Sequence, residues 1–339
     1  MTVPYKKAKI PSKYFQNLFN SLPSLNGKTI AITGTTSGTG LVAADTCLKL
    51  GARVLVLNRP SDRFKTSLEA LKTENSNTEV LSVNCDLQSF NSVRQAVQEI
   101  HELCPNGLDV LCNNAGVMAL EDVPTEDGFD VQMQTNHLSH FLLTKLVFDL
   151  LEKSADLNGE ARIINHSSIA RKQVKKLEPK YLKKNGGNLG GNGSSIFFGG
   201  ARWTRYGQTK LANAAFTACL HSKLSLKNSN IKALVAHPGF AITNLQSTTV
   251  KDGGMGRLFT KILMKTAQSG EDGALGILNC IASPNVESGQ FFGPGMGGMF
   301  TAIKGPARGF NLEPTYDNPQ TRELLWNLSC EAIGEEFII

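Results

Sequence analysis

The chain has 339 residues, is 41% hydrophobic and carries a net charge of +6. That composition fits one enlarged α/β domain with a sizeable buried core, and no apolar run reaches the roughly 18 residues of a membrane-spanning helix. Residues 171–184 hold Arg171, Lys172, Lys175, Lys176, Lys180, Lys183 and Lys184 against Glu178 alone. The whole excess therefore sits in one stretch, and the basic face with interleaved aromatics that nucleic acid would need is missing.

Residues 1–25 read as an N-terminal extension. Their lysines lack the apolar block of a secretory signal. The seven cysteines (Cys47, Cys85, Cys104, Cys112, Cys219, Cys280 and Cys330) are scattered and form no C-x-x-C pair. Reduced thiols in the cytoplasm or another reducing compartment are expected, with organelle targeting left open, and no metal site.

From residue 26 to 333, apolar strand-like runs alternate with helix-length segments. Strands are predicted at 28–33, 53–57, 80–84, 108–112, 162–165, 231–236 and 289–292. Helices are predicted at 38–50, 61–74, 89–104, 125–152, 204–223 and 271–281. This rhythm predicts a single Rossmann-type, doubly wound α/β domain, with a central parallel sheet of about seven strands covered by helices on both faces. Two stretches interrupt it. An inserted basic and glycine-rich loop covers 171–203, its second half expected to be mobile. A substrate lid is expected at 240–269, carrying an amphipathic helix with Met255, Leu258, Phe259, Ile262, Leu263 and Met264. Residues 334–339 read as a C-terminal tail.

The first strand runs into Gly34-Thr35-Thr36-Ser37-Gly38-Thr39-Gly40 and then a helix. Glycines at such a turn let the backbone approach a pyrophosphate, while the helix N-terminus offers free N–H groups to the anion. The second strand ends at Asn58-Arg59. No carboxylate stands there to accept a ribose 2′-hydroxyl, whereas Arg59, helped by Arg63, can pair with a 2′-phosphate. NADP(H) is therefore the expected cofactor. Asp86-Leu87 and Asn113-Asn114-Ala115-Gly116 follow the third and fourth strands, where adenine and ribose would lie.

Tyr206 and Lys210 are four residues apart and share one helix face. A phenol titrates near 10, and a neighbouring cation plus the positive charge of a nicotinamide moves it toward neutral pH and makes it a usable acid or base. Ser168 can hydrogen-bond a reacting oxygen, with Ser167 as the fallback. Asn136 can hold a water beside Lys210 in a proton relay.

This ordered set, Gly34/Gly38/Gly40, Asp86, Asn113–Gly116, Asn136, Ser168, Tyr206/Lys210 and Pro238-Gly239, resembles the short-chain dehydrogenase/reductase superfamily over about residues 26–333. Tyr206-Gly-Gln-Thr-Lys-Leu-Ala-Asn213, His237-Pro238-Gly239 and Leu324-Leu325-Trp326-Asn-Leu-Ser329 resemble its retinol dehydrogenase and protochlorophyllide reductase branch. The resemblance implies a catalytic set of Asn136, Ser168, Tyr206 and Lys210, and a nicotinamide contact at Thr243. Two departures stand out: Thr39 replaces an apolar residue, and the Ser168–Tyr206 gap is long. The Tyr206 helix lacks the cysteine of the light-driven reductases, which disfavours that chemistry.

The expected reaction is hydride transfer between the nicotinamide and a carbonyl or alcohol of a lipophilic small molecule. Reduction of a conjugated C=C bond and a non-catalytic NADP(H)-binding role remain alternatives. The basic stretch raises three readings: steering of an anionic substrate or an acidic carrier protein, peripheral contact with an anionic membrane, or a solvated loop. A homo-oligomer is expected by analogy with the family.

Overall fold

The computed structural model describes residues 10–194, 199–241, 249–250, 252–256, 267–295 and 303–339. Eight strands form one sheet in the order β3-β2-β1-β4-β5-β6-β7-β8. They are β1 (Thr29–Thr33), β2 (Arg53–Asn58), β3 (Val80–Asn84), β4 (Val110–Asn113), β5 (Ala161–His166), β6 (Ile231–Ala236), β7 (Gln290–Pro294) and β8 (Ala307–Asn311). The first seven run parallel, and β8 pairs antiparallel with β7. β8 was not expected. Its sequence, Ala-Arg-Gly-Phe-Asn, has no apolar run, as suits an edge strand with little to bury.

Among the described residues the α-helices are α1 (Phe15–Ser21), α2 (Gly38–Lys49), α3 (Asp62–Glu74), α4 (Phe90–Leu103), α5 (Val131–Met133), α6 (Ser139–Leu146), α7 (Phe148–Asn158), α8 (Ala201–Leu226), α9 (Gly270–Ala282) and α10 (Pro319–Ile333). Two apolar cores result, one on each face of the sheet. One packs Ile30, Val54 and Val56 against α2, α3 and α9, and the other packs Leu55, Leu111 and Ile163 against α4, α6, α7, α8 and α10. All seven cysteines are buried and unpaired.

The single helix expected over 125–152 is broken twice. Gly128 lies at a φ of 88° and Pro124 bridges to Asp130, so the helix starts only at Val131, where the Asp130 side chain caps the Met133 N–H at 2.9 Å. A π-turn over Gln134–Leu138 then joins α5 to α6, and the chain breaks again at Val147.

Both ends belong to the fold more closely than the sequence indicates. The backbone N–H groups of Lys13, Tyr14 and Phe15 donate to the Asp272 carboxylate of α9 at 2.8, 2.9 and 3.1 Å, so residues 10–25 are docked. In the C-terminal tail, Phe337 is buried against Phe141, Phe148 and Trp326, and Glu335 pairs with Arg94 and Lys145.

Candidate active site

β1 and β4 lie side by side where the strand order reverses, so the loops after them flank the crevice in which such sheets bind ligands. Gly34 has a φ of 75°, and a Cβ there would stand 2.7 Å from the Ala115 Cα. A Cβ on Gly40 would stand 2.3 Å from Asn114 Nδ2 and 2.4 Å from the Gly34 oxygen. Only glycine lets these two loops touch. Thr36, Ser37 and Gly38 form the partly exposed crest of the turn. Ser37, at the N-cap of α2, makes no capping bond, and the first turn has no acidic residue. The helix end thus keeps its N–H groups and positive pole for an anion. These features fit a dinucleotide pyrophosphate.

Asn58 is buried and braces this turn, accepting from the Thr35 N–H at 2.9 Å and donating to the Thr35 hydroxyl at 2.8 Å. Arg59 beside it is exposed. Local desolvation first, and the Arg59 charge second, hold the Arg63 pKa below its usual value. Among the described residues neither arginine has a carboxylate partner, so the end of β2 presents two crowded, uncompensated cations.

The Asp86 carboxylate accepts from the Gln88 N–H at 3.0 Å, while Ser89 caps α4. Leu87 lies in the core, and its carbonyl accepts from Ser139. Asn113 points inward, donating to Thr144 and Asn165 at 3.0 Å each. The Asn114 amide donates to the Thr33 and Gly34 carbonyls and accepts from Thr39 and from His166 Nδ1. The two asparagines of the motif therefore brace the strand ends, leaving Ala115 and Gly116 to line the crevice. A Cβ on Gly116 would lie 3.1 Å from Asn136 Oδ1 and 3.3 Å from Lys210 Nζ, which places those two groups side by side.

Asn136 sits in the π-turn, an irregularity common at functional sites. Its side chain is fully committed, accepting from the Val117 N–H at 2.7 Å and donating to the Val117 carbonyl and the Thr209 hydroxyl at 2.9 Å each. The side chain thereby clamps the loop after β4. The Asn136 carbonyl accepts from His140 Nδ1 at 3.1 Å, so Nε2 is left to accept from the Thr33 hydroxyl at 2.9 Å.

Ser167 donates to the Lys210 carbonyl at 2.7 Å, which turns it away from the crevice and removes it as the fallback. Ser168 is partly exposed beside Tyr206. Tyr206 is 6% exposed and Lys210 4%, with Lys210 Nζ 5.8 Å from the Tyr206 ring centre and 2.9 Å from the His166 carbonyl. Burial pushes the Tyr206 pKa up to about 12, against a smaller downward pull from Ser168, and lowers that of Lys210 to about 7. In the protein alone desolvation dominates; the downward shift expected from the sequence also requires the positive charge of a bound nicotinamide.

Pro238 and Gly239 follow β6; the Pro238 carbonyl accepts from Gln268, and Gly239 has a φ of 63°. Thr243 and the lid residues Leu258, Phe259, Ile262, Leu263 and Met264 lie outside the described residues. Met255 does not, and it packs with Ala119, Ala170, Trp203 and Tyr206, with Met118 and Val250 alongside. Trp203 meets the Tyr206 ring edge-on at 6.0 Å. The tyrosine thus sits in an apolar cluster.

Several supporting residues were not anticipated. Buried Arg202 donates to Asp252 at 2.8 Å, to the Asn192 carbonyl at 3.0 Å and to the Ala119 carbonyl at 3.2 Å. Arg205, fully buried, lies between Asp122 and Asp130 and donates to the carbonyls of Leu120, Leu189 and Gly191. Asp122 in turn accepts from the N–H groups of Leu189 and Gly191. The glycine-rich stretch, where described, is therefore fastened to α8. Arginines in a helical segment read from sequence as surface residues, and nothing local betrays their distant partners.

A family model described as short chain dehydrogenase matches residues 28–183. The chain is 30% identical to mouse Retinol dehydrogenase 12 over 313 residues, 91% of this chain and 87% of the relative. It is 31% identical to human Polyprenol dehydrogenase over 304 residues, 89% and 84% of the two chains. Among solved structures, an uncharacterized protein from Mycobacterium paratuberculosis is similar at a TM-score of 0.71 and 27% identity, covering 95% of this chain and 98% of that one. L-Sorbose reductase from Gluconobacter frateurii, solved with NADPH and L-sorbose, shares the fold at a TM-score of 0.56 and 22% identity, covering 76% and 90%.

Proposed function

The chain belongs to the short-chain dehydrogenase family of nicotinamide-dependent oxidoreductases, in its retinol dehydrogenase-like branch, and from that premise we propose that it is an NADP(H)-dependent oxidoreductase acting on a carbonyl or alcohol of a lipophilic small molecule. The observation that carries this reading is Tyr206, buried beside Lys210 and packed in an apolar cluster with Trp203, Met255, Met118 and Ala119. The relatives' names, retinol and polyprenol, point to the same substrate class.

In this reading NADPH supplies the hydride for the carbonyl carbon. The turn Gly34–Gly40 and the α2 N-terminus hold its pyrophosphate, Arg59 with Arg63 hold the 2′-phosphate, and Ala115 and Gly116 line the ribose side. Asn58, Asp86, Leu87, Asn113 and Asn114 support those loops; Pro238 and Gly239, with Thr243 by resemblance to the family, would border the nicotinamide. Tyr206 donates its hydroxyl proton to the substrate oxygen, which Ser168 orients. Lys210 stabilises the resulting phenolate, and Asn136 fixes the loop beside it. The oxidation direction reverses each transfer.

A panel of aldehydes and ketones with increasing apolar chain length, assayed with NADPH and with NADH, tests this. Activity should favour NADPH by at least about tenfold, an increment one charge-assisted contact supplies, and kcat/KM should rise with chain length. Equal use of NADH, or preference for short polar carbonyls, contradicts it.

A further inference from the structure

The basic stretch is not a loose loop. Gln208, two residues past Tyr206, accepts from the Glu178 N–H at 3.1 Å and donates to the Lys176 carbonyl at 3.0 Å. Val174, Leu177, Tyr181 and Leu182 are buried. The Asn185 N–H donates to the Gly128 carbonyl at 3.1 Å, and Arg205 and Asp122 hold 189–191. Arg171 is also withdrawn from the surface, paired with Glu313 at 3.0 Å and stacked on Phe291. What remains outside is a ridge of exposed lysines: Lys172, Lys175, Lys176, Lys180, Lys183 and Lys184. Lys172 shares Glu313 and Lys180 has Glu178. Lys175, Lys176, Lys183 and Lys184 have no carboxylate partner among the described residues.

A run of like charge usually spreads as flexible chain to relieve repulsion. Here the backbone is fixed along α8, so the lysines stay gathered and an external anion would relieve their repulsion. The apolar residues of the stretch face inward, so the contact is electrostatic and does not insert. We propose that this ridge docks the enzyme on an anionic lipid surface, with Ser168 and Tyr206, which bracket the stretch in the chain, held close to that surface. This rests on the lipophilic-substrate reading above, since a substrate dissolved in a membrane must be met at its surface. The field of an anionic leaflet acts within about one Debye length and attracts each nearby lysine by roughly fivefold in binding.

The test is sedimentation with vesicles of phosphatidylcholine alone and of phosphatidylcholine with 30% phosphatidylserine. Three full-length forms are compared: wild type, a ridge variant (Lys175→Gln, Lys176→Gln, Lys183→Gln and Lys184→Gln), and a control with equal net charge (Lys65→Gln, Lys72→Gln, Lys153→Gln and Lys227→Gln, all exposed elsewhere). Wild type and control should bind the anionic vesicles and release in 1 M salt, the ridge variant should lose at least tenfold, and turnover of a water-soluble carbonyl should be equal in all three. Equal loss in the ridge and control variants, binding to neutral vesicles, or no vesicle binding overturns the proposal. Because binding is read without turnover, it is independent of whether the assigned reaction is correct. If the ridge variant instead loses affinity for an acidic protein while no form binds vesicles, the partner is a protein and the lipid assignment fails.

Discussion

The Nε2 nitrogen of His140 lies 2.9 Å from the hydroxyl oxygen of Thr33. That hydroxyl also accepts from the Asn114 and Ala115 N–H groups, and the same imidazole reaches the Asn136 carbonyl. One buried ring thus joins the end of β1, the loop after β4 and the π-turn. His140→Leu should remove the ring's bonds to the Thr33 hydroxyl and the Asn136 carbonyl and cost about 1–3 kcal/mol. It should also weaken NADPH binding, since the turn and the loop lose their common tie. Chemical denaturation and a fluorescence titration check both. Unchanged stability and affinity would mean that the bridge contributes nothing.

Buried histidines give the stability a pH dependence. Burial lowers His137 to about 3, His140 to about 4 and His166 to about 3, and takes His237 well below its ordinary 6.5. Above pH 6.5 these rings are neutral in both states. As the pH falls below 6.5 the unfolded chain takes up protons that the native one refuses, so stability drops until the folded pKa values, near 3–4 for His137, His140 and His166, are reached. Four such groups give at most about 5 kcal/mol per pH unit. Asp130, raised to about 6 mainly by burial, binds its proton in the native state and offsets at most one of them. Thermal melts from pH 7.5 to 5 should show a falling Tm. A flat profile contradicts the neutral assignment.

Arg205 anchors the glycine-rich stretch. Arg205→Met should strand the Asp122 and Asp130 carboxylates in the interior, costing about 3–5 kcal/mol. It should also free residues 185–194, which limited proteolysis reads as new cleavage there. Wild-type resistance in the variant would show that the anchor lies elsewhere.

Arg59 and Arg63 stand together at the end of β2. Replacing both with alanine should weaken NADPH binding about ten- to hundredfold, the worth of one or two charge-assisted contacts, and leave NADH binding unchanged. Calorimetric titration with each dinucleotide separates the outcomes, and a parallel loss for NADH would indicate a damaged fold.

The parallel sheet, its crossover helices and the order of the motif residues were legible because they rest on local signals: apolar strands, glycine turns and the four-residue spacing of Tyr206 and Lys210. Side-chain direction was less so. Asn58, Asn113 and Asn114 turn inward as braces, because strand-end residues alternate between the two faces. The brace formed by Arg202 and Arg205 depends on partners up to 83 and 85 residues away, which no local pattern announces. The burial of Tyr206 and Lys210 was hidden for a related reason: spacing reveals the neighbouring lysine, but only the packed structure reveals how dry both groups are. Asp86 is the opposite case, since its turn with Gln88 is a local preference of aspartate.

The central claim, that Tyr206 moves the proton, is tested most directly by measuring NADPH binding and turnover of one lipophilic aldehyde in Tyr206→Phe. The account predicts a dissociation constant within about twofold of wild type, and turnover lowered at least 10²-fold, the usual contribution of a positioned acid. Turnover near the wild-type rate, with binding intact, would contradict it.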